Sequence, residues 1–320
     1  KGIPLGCPFL SGGQTMQEIS TLNWLRIGAL GIIWGASFMF VSVALTGVGP
    51  FFLAAVRIVL GAGFLLCLLR LKGRKLPPLG GVEGRKIWQF ASVMALFSNV
   101  FPFILLSWAQ QSVASGFAGV CMAAVPLLIL PLAHFLVPGE RMHLRRLVGF
   151  VLGTTGVVVL IGPDAFTSTG KDMESLARLA CLGAAGGYAI GSIATRLSPE
   201  VDRLALSALV LTLAAVIILP LALIVEGLPS DLNINSLFAL LYLGILPTGV
   251  AQILLVQVNR EAGPSFFSLV NYMVPVWSVI LGALVLSEAL PPSLLAAMTL
   301  ILVGVGMSQW GALRRVFGAR

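Results

Sequence analysis

Ten apolar runs, each close to the length that crosses a bilayer, follow one another along this chain with only short polar breaks between them. A helix traversing a hydrocarbon layer of about 30 Å needs roughly 20 residues. The runs fall at about 24–45, 50–70, 87–108, 114–137 and 144–162, then 177–196, 203–225, 236–258, 265–287 and 293–312. Turn-forming pairs and polar or charged stretches separate them, among them Gly49-Pro50, Lys72 to Lys86, Gln110-Gln111, Pro138-Gly139, Pro163-Asp164, Gly263-Pro264 and Pro291-Pro292. Composition closes off the soluble alternative. Hydrophobic residues make up 58% of the chain and charged residues 10%, against about 25% charged in soluble domains. A two-domain soluble enzyme of this length lacks the charged surface it would need. The expectation is an all-α integral membrane protein of ten transmembrane helices, with the lipid bilayer as its solvent.

The basic residues orient it. Lys and Arg near span ends stay preferentially cytoplasmic. With the amino terminus inside, the cytoplasmic segments collect Lys1 and Arg26, then six residues from Arg70 to Lys86. They also collect Arg141, Arg145 and Arg146, Arg196 and Arg203, Arg260, and Arg314, Arg315 and Arg320. These are 17 of the 20 basic residues; Lys171 and Arg178 fall outside and Arg57 lies within a span. Both termini are therefore expected in the cytoplasm. This placement accounts for the net charge of +8 without nucleic acid as a partner.

The chain divides into halves that resemble each other. Pro126 and Pro275 each begin an apolar stretch that closes on a glutamate, Glu140 and Glu288, and a glycine follows each glutamate by 16 residues, Gly156 and Gly304. Residues 1–21 read as an N-terminal extension, with Met16 a candidate native start. Residues 22–163 read as a first five-helix repeat and 164–320 as a second. An odd number of spans per repeat turns the second copy upside down, which places two inverted repeats around a central cavity.

These landmarks also carry a resemblance. The "P…GE" before span five, the "P…SE" before span ten, "GIIWGASF" in span one and "FFLAAVRIVLGAGF" in span two resemble the EamA-type members of the drug/metabolite transporter superfamily. The resemblance covers about residues 24–313. It implies ten helices and secondary export of small metabolites or drugs across a bacterial inner membrane. Among the branches of that superfamily, the YddG-like exporters of amino acids, aromatic ones included, are the leading comparison, although no motif marks that branch. Export of drugs or other metabolites is the alternative cargo.

Chemistry inside the membrane is sparse. Every acidic residue falls in a loop or at a span end, whereas a carrier of cations usually needs a buried carboxylate. The same distribution argues against a hard-metal site. No P-loop, HExxH or GxSxG motif occurs and only two histidines exist, so neither catalytic residues, cofactor nor metal is expected. Four scattered cysteines, Cys7, Cys67, Cys121 and Cys181, carry no metal spacing, and the three in apolar stretches read as small hydrophobes. Arg57, about two turns into span two, either bonds backbone and helix ends or meets a cargo carboxylate or a gate. His134, at the end of span four, reads as a packing residue with proton coupling as the alternative. The pathway candidates are Trp34, Ser37, Phe38, Arg57, Ser98, Asn99, Tyr188, Ser192, Gln252, Asn271 and Tyr272. Intramembrane amides and hydroxyls need partners or water, and interhelical bonding accounts for any single one of them. Gly31 and Gly35, Gly149 and Gly153, and Gly183, Gly187 and Gly191 are spaced for close helix packing. Pro247 and Pro275 are the expected hinge or gate positions. A small-molecule carrier working by alternating access is the leading reading; a channel and an intramembrane enzyme are the competitors. The oligomeric state is left open.

Overall fold

A computed structural model describes residues 20–162, 173–230 and 232–317. Met16, Lys171 and the break at Pro163-Asp164 lie outside the described residues. The spans are α1 (Thr21–Ala44), α2 (Pro50–Leu71), α3 (Gly81–Ala109), α4 (Ser115–Met122 and Val125–Leu136), α5 (Leu144–Ile161) and α6 (Met173–Leu197). They continue with α7 (Arg203–Val225), α8 (Ile234–Glu261), α9 (Gly263–Phe267 and Val270–Leu286) and α10 (Pro292–Ser308). A short amphipathic α11 (Trp310–Phe317) follows. Among the described residues, nine helices are long and apolar enough to span a membrane and α10 is a shorter apolar helix. The face that carries Thr21 and Phe317 is called the terminal face below, and the opposite one the far face.

Most spans start where local chemistry satisfies the orphan backbone donors. Ser20 caps α1, and Asn233 accepts the Ser236 N–H at 2.8 Å to cap α8. Pro50 and Pro292 open α2 and α10, where a missing N–H costs nothing. Bare apolar side chains such as Phe135, Leu284 and Ile224, each more than three-quarters exposed, turn outward to where lipid would be. Small residues let the helices close. A Cβ at Gly149 would stand 2.6 Å from the Gly304 carbonyl, so α5 and α10 meet backbone to backbone. The other glycine faces pack likewise, with Gly31 and Gly35 against Met273 and Trp277 of α9 and Gly187 against Phe97 and Pro102 of α3.

Irregularities recur in matching places. A single wide π-turn interrupts α3 at Leu96–Val100 and α8 at Leu246–Val250, and α4 and α9 each break once, at Ala123-Ala124 and Ser268-Leu269. The reason at α8 is chemical. Pro247 has no N–H to offer the Leu243 carbonyl, and the Thr248 hydroxyl donates to that carbonyl instead, at 2.8 Å. In α3, Asn99 Nδ2 donates to the Met94 carbonyl at 3.3 Å. Pro247 thus sits inside an irregular turn. Pro275 lies inside a regular helix, seven residues past Ser268.

Candidate functional site

The wide turn in α8 places Thr248 opposite Arg57, whose Nε donates to Thr248 Oγ1 at 3.1 Å. The guanidinium lies over the Phe103 ring, 4.0 Å from its centroid, a cation–π contact that holds the charge without neutralising it. Around it is a narrow cavity in the far half of the bundle, lined by Ser37, Phe38, Val41, Arg57, Phe103, Leu106, Ser107, Gln110 and Tyr188. Its volume is about 30 Å³, which is room for one or two water molecules. Arg57 is the single charged residue of that lining. Among the described residues no carboxylate pairs with it.

Four of the expected pathway residues, Ser37, Phe38, Arg57 and Tyr188, come together here. Ser37 also returns its hydroxyl to the Trp34 carbonyl, at 2.6 Å. The remaining candidates do not line this cavity. Trp34 donates from Nε1 to the Pro247 carbonyl at 3.0 Å, and Asn99 braces its own helix. Gln252 donates to Ser207 of α7 at 2.6 Å. Ser98 fills the space left by Gly191 at the contact of α3 with α6, and Ser192 is half-buried on α6. Asn271 and Tyr272 follow the break in α9, with the Tyr272 hydroxyl buried and unpartnered. His134 is exposed at the end of α4 and accepts the Met142 N–H at 3.3 Å.

Sequence reasoning missed Phe103, Ser107, Gln110 and Thr248. Gln110 reads as part of a loop break, yet it is buried at the end of α3. Its Oε1 accepts from Ser42 at 3.4 Å, and its Nε2 has no partner.

A second set of residues joins helix ends. Glu288, just beyond α9, accepts the N–H groups of Ser115 and Gly116 at 2.7 and 3.0 Å, at the start of α4. Ser287 takes the left-handed conformation at φ 55°, and the Glu288 N–H returns to the Gly282 carbonyl at 3.1 Å. That turn ends α9 and throws the carboxylate across to α4. Gly119 meets Ser278, and Gly282 meets Glu288 and Ser115, closely enough that a Cβ on either glycine would collide. The far ends of α4 and α9 are thereby sealed together.

At the terminal face the corresponding ends are not joined this way. Glu140, just beyond α4, pairs with Arg146 at 2.8 Å and Arg196 at 3.3 Å. Its carboxyl is held below the usual range first by the Arg146 hydrogen bond, with the Arg146 and Arg196 charges adding to it. The first segment of α9 packs instead on the end of α8 and on α11, where Phe266 meets Trp24 edge-on at 4.8 Å. The second segment of α4 is mostly half-buried or exposed, whereas its first segment is mostly buried.

The model of the EamA-like transporter family matches the chain twice, over residues 24–162 and 174–309. The chain belongs to that family. It is 24% identical to the transporter YoaV of Bacillus subtilis (strain 168), over 91% of this chain and 98% of the relative. The inner membrane transporter YedA of Escherichia coli (strain K12) is 27% identical over 79% of each chain. Protein PecM of Dickeya dadantii (strain 3937) is 26% identical over 84% of this chain and 86% of its own length. A solved crystal structure with 23% identity superposes with a TM-score of 0.65, covering 92% of this chain and 99% of the other, which supports the ten-helix fold. This EamA-like chain is thus a multi-pass membrane transporter of small molecules, and its two matched segments divide at the α5–α6 connection.

Proposed function

We propose that this EamA-like transporter is a secondary carrier that exports small metabolites, amino acids with apolar or aromatic side chains foremost, across the bacterial inner membrane. Its terminal face lies in the cytoplasm. The positions of the basic residues support that orientation: 17 of 20 fall on the terminal-face side of the expected topology. The two five-helix halves act as an inverted pair, and cargo is passed between them by alternating access.

One observation carries the reading. The α4–α9 pair is stapled at its far end by Glu288 and, among the described residues, has no such staple at its terminal end, although both ends are built from the same landmarks, a broken helix followed by a glutamate. An inverted pair in one state of a two-state cycle has this asymmetry. The matching π-turns in α3 and α8 and the breaks in α4 and α9 support it further. They interrupt the helical ladder where a helix can bend at little cost. In this reading the state described is closed outward, and its cargo enters from the cytoplasm. Neither a nucleophile–base pair nor an acid dyad occurs among the cavity residues, so a carrier is favoured over an intramembrane enzyme.

The test is counterflow in proteoliposomes preloaded with phenylalanine. A carrier takes up labelled phenylalanine with saturation and transient accumulation above equilibrium. Uptake that never saturates, with no acceleration by internal solute, identifies a channel and refutes the proposal.

A further inference from the structure

We infer that the Arg57 cavity is the subsite for one carboxylate group of the cargo, and that the anionic end of the cargo, not its ammonium, decides recognition. This rests on the carrier reading for its meaning in transport. The binding claim itself stands on geometry. Arg57 is permanently charged, so it cannot shed its cost of burial by losing a proton as a buried lysine does. Buried charge needs a partner, and the described residues supply a hydroxyl at Nε and an aromatic face but no anion. A guanidinium has five donors in a fixed fork, and among the described residues only Nε finds a hydrogen-bond acceptor, Thr248.

Gln110 provides the second, independent sign. It is 7% exposed and lines the same cavity, and its Nε2 donor is buried with no partner. Such a group in a native interior calls for an acceptor. A cation and an unsatisfied donor converge on one small space, which is what a carboxylate requires. The chemistry excludes richer anions: one arginine with neutral neighbours balances a single negative charge, whereas a phosphate dianion calls for more. Volume sharpens this, since about 30 Å³ holds a carboxylate head and not a whole metabolite. The carbon skeleton would then lie beside Phe38, Phe103 and Tyr188. No carboxylate lines the cavity to receive an ammonium.

The test measures binding to the whole protein in nanodiscs, using 3-phenylpropionate, phenylalanine and phenethylamine, which share a ring and differ in their charged groups. The two acids are expected to bind within about threefold of each other, and the amine to bind at least tenfold more weakly. Arg57→Gln should weaken both acids by about ten- to hundredfold, the range for loss of charge-assisted bonds. Arg57→Lys should recover part of that, and Gln110→Leu should cost several-fold. The inference is overturned if the amine binds as well as the acids, or if neither acid binds. It is equally overturned if Arg57→Gln, at unchanged melting temperature, leaves their affinities as they were. If Arg57→Gln does not fold, Gln110→Leu and Arg57→Lys decide by the same comparison. Counterflow separates the two claims. Acids that bind without being exchanged refute the carrier alone, and exchange indifferent to Arg57→Gln refutes the subsite alone.

Discussion

Two helix pairs in this molecule are built from the same device and fastened differently. In α2–α7 both ends are pinned. Glu226 accepts the Phe51 and Phe52 N–H groups at 3.0 and 2.8 Å at the far face. At the terminal face Asp202 caps α7 through the Ala205 N–H at 2.9 Å and pairs with Arg74. In α4–α9 only the far end is pinned, by Glu288 on the start of α4. A carboxylate on a helix N-terminus satisfies orphan donors and meets the positive end of the helix dipole. Stability alone would favour using it at all four places. Three have it, and at the fourth Glu140 is occupied by arginines. On the proposed carrier reading, the difference separates a scaffold from a moving part: α2–α7 is bridged at both ends, whereas α4–α9 has one end free to rearrange.

The comparison can be broken most forcefully at its two staples. Glu288→Gln removes the charge from two bonds to backbone and should shift the closed-to-open ratio at the far face by roughly 2 kcal/mol, about thirtyfold. A broadened distance distribution between spin labels at Gln111 and Leu290 would report it. Glu226→Gln should lower the melting temperature by a similar free energy and leave that distribution unchanged; if the label distances respond equally to both variants, the distinction between scaffold and moving part is lost. Next in size is Gly119→Val, which drives a branched side chain into Ser278. Overpacking of this kind costs about 1–3 kcal/mol and should favour the far-open state in the same label experiment. The smallest effect belongs to Glu140→Gln. Exposed ion pairs contribute about 0–1 kcal/mol, so its melting temperature should move little. Because Arg146 holds the Glu140 carboxyl below its ordinary value, its contribution is present above the unfolded-state pKa of about 4.3 and disappears only as pH falls through the lower folded value. With His134 and His143 replaced by Gln, so that no imidazole titrates at this face, terminal-face label distances should therefore be constant from pH 7 to pH 5, and a change across that window would contradict the pairing.

The spans were legible because lipid imposes a length on each apolar run, and the expected ranges match the helices closely. The exceptions have polar causes. Helix α3 begins at Gly81 rather than near 87, since Arg85 and Lys86 sit on turns outside the apolar run, and α6 begins at Met173 with Glu174 ahead of the expected 177. Helix α8 continues to Glu261 past its last apolar residue, and α10 ends at Ser308 rather than 312, before Gln309 and the separate α11. The π-turns and the breaks in α4 and α9 were not legible, because a wide turn changes the hydrogen-bond ladder without changing hydropathy. Arg57 announced itself as a charge inside a span. Its partner Thr248 lies 191 positions away, and no local pattern joins the two. Gln110 was hidden by its place in a polar break, whereas Asn99 and Gln252, intramembrane amides that the sequence shows directly, bond to their own helix and to α7 and lie outside this cavity. Glu288 stood out as a landmark, but its role as a staple depends on the left-handed turn at Ser287, which only the folded chain displays.

The central claim is that the two ends of α4–α9 alternate, and one experiment addresses it directly. Spin-label distances are measured in nanodiscs across the far face, Gln111 to Leu290, and across the terminal face, Leu136 to Ala262, with and without saturating phenylalanine or 3-phenylpropionate. The account predicts a short far-face distance with a long terminal-face distance in one population. A second population has the two exchanged, and cargo changes their ratio. Distances at the two faces that lengthen and shorten together, or a single population that ignores every cargo, would contradict it.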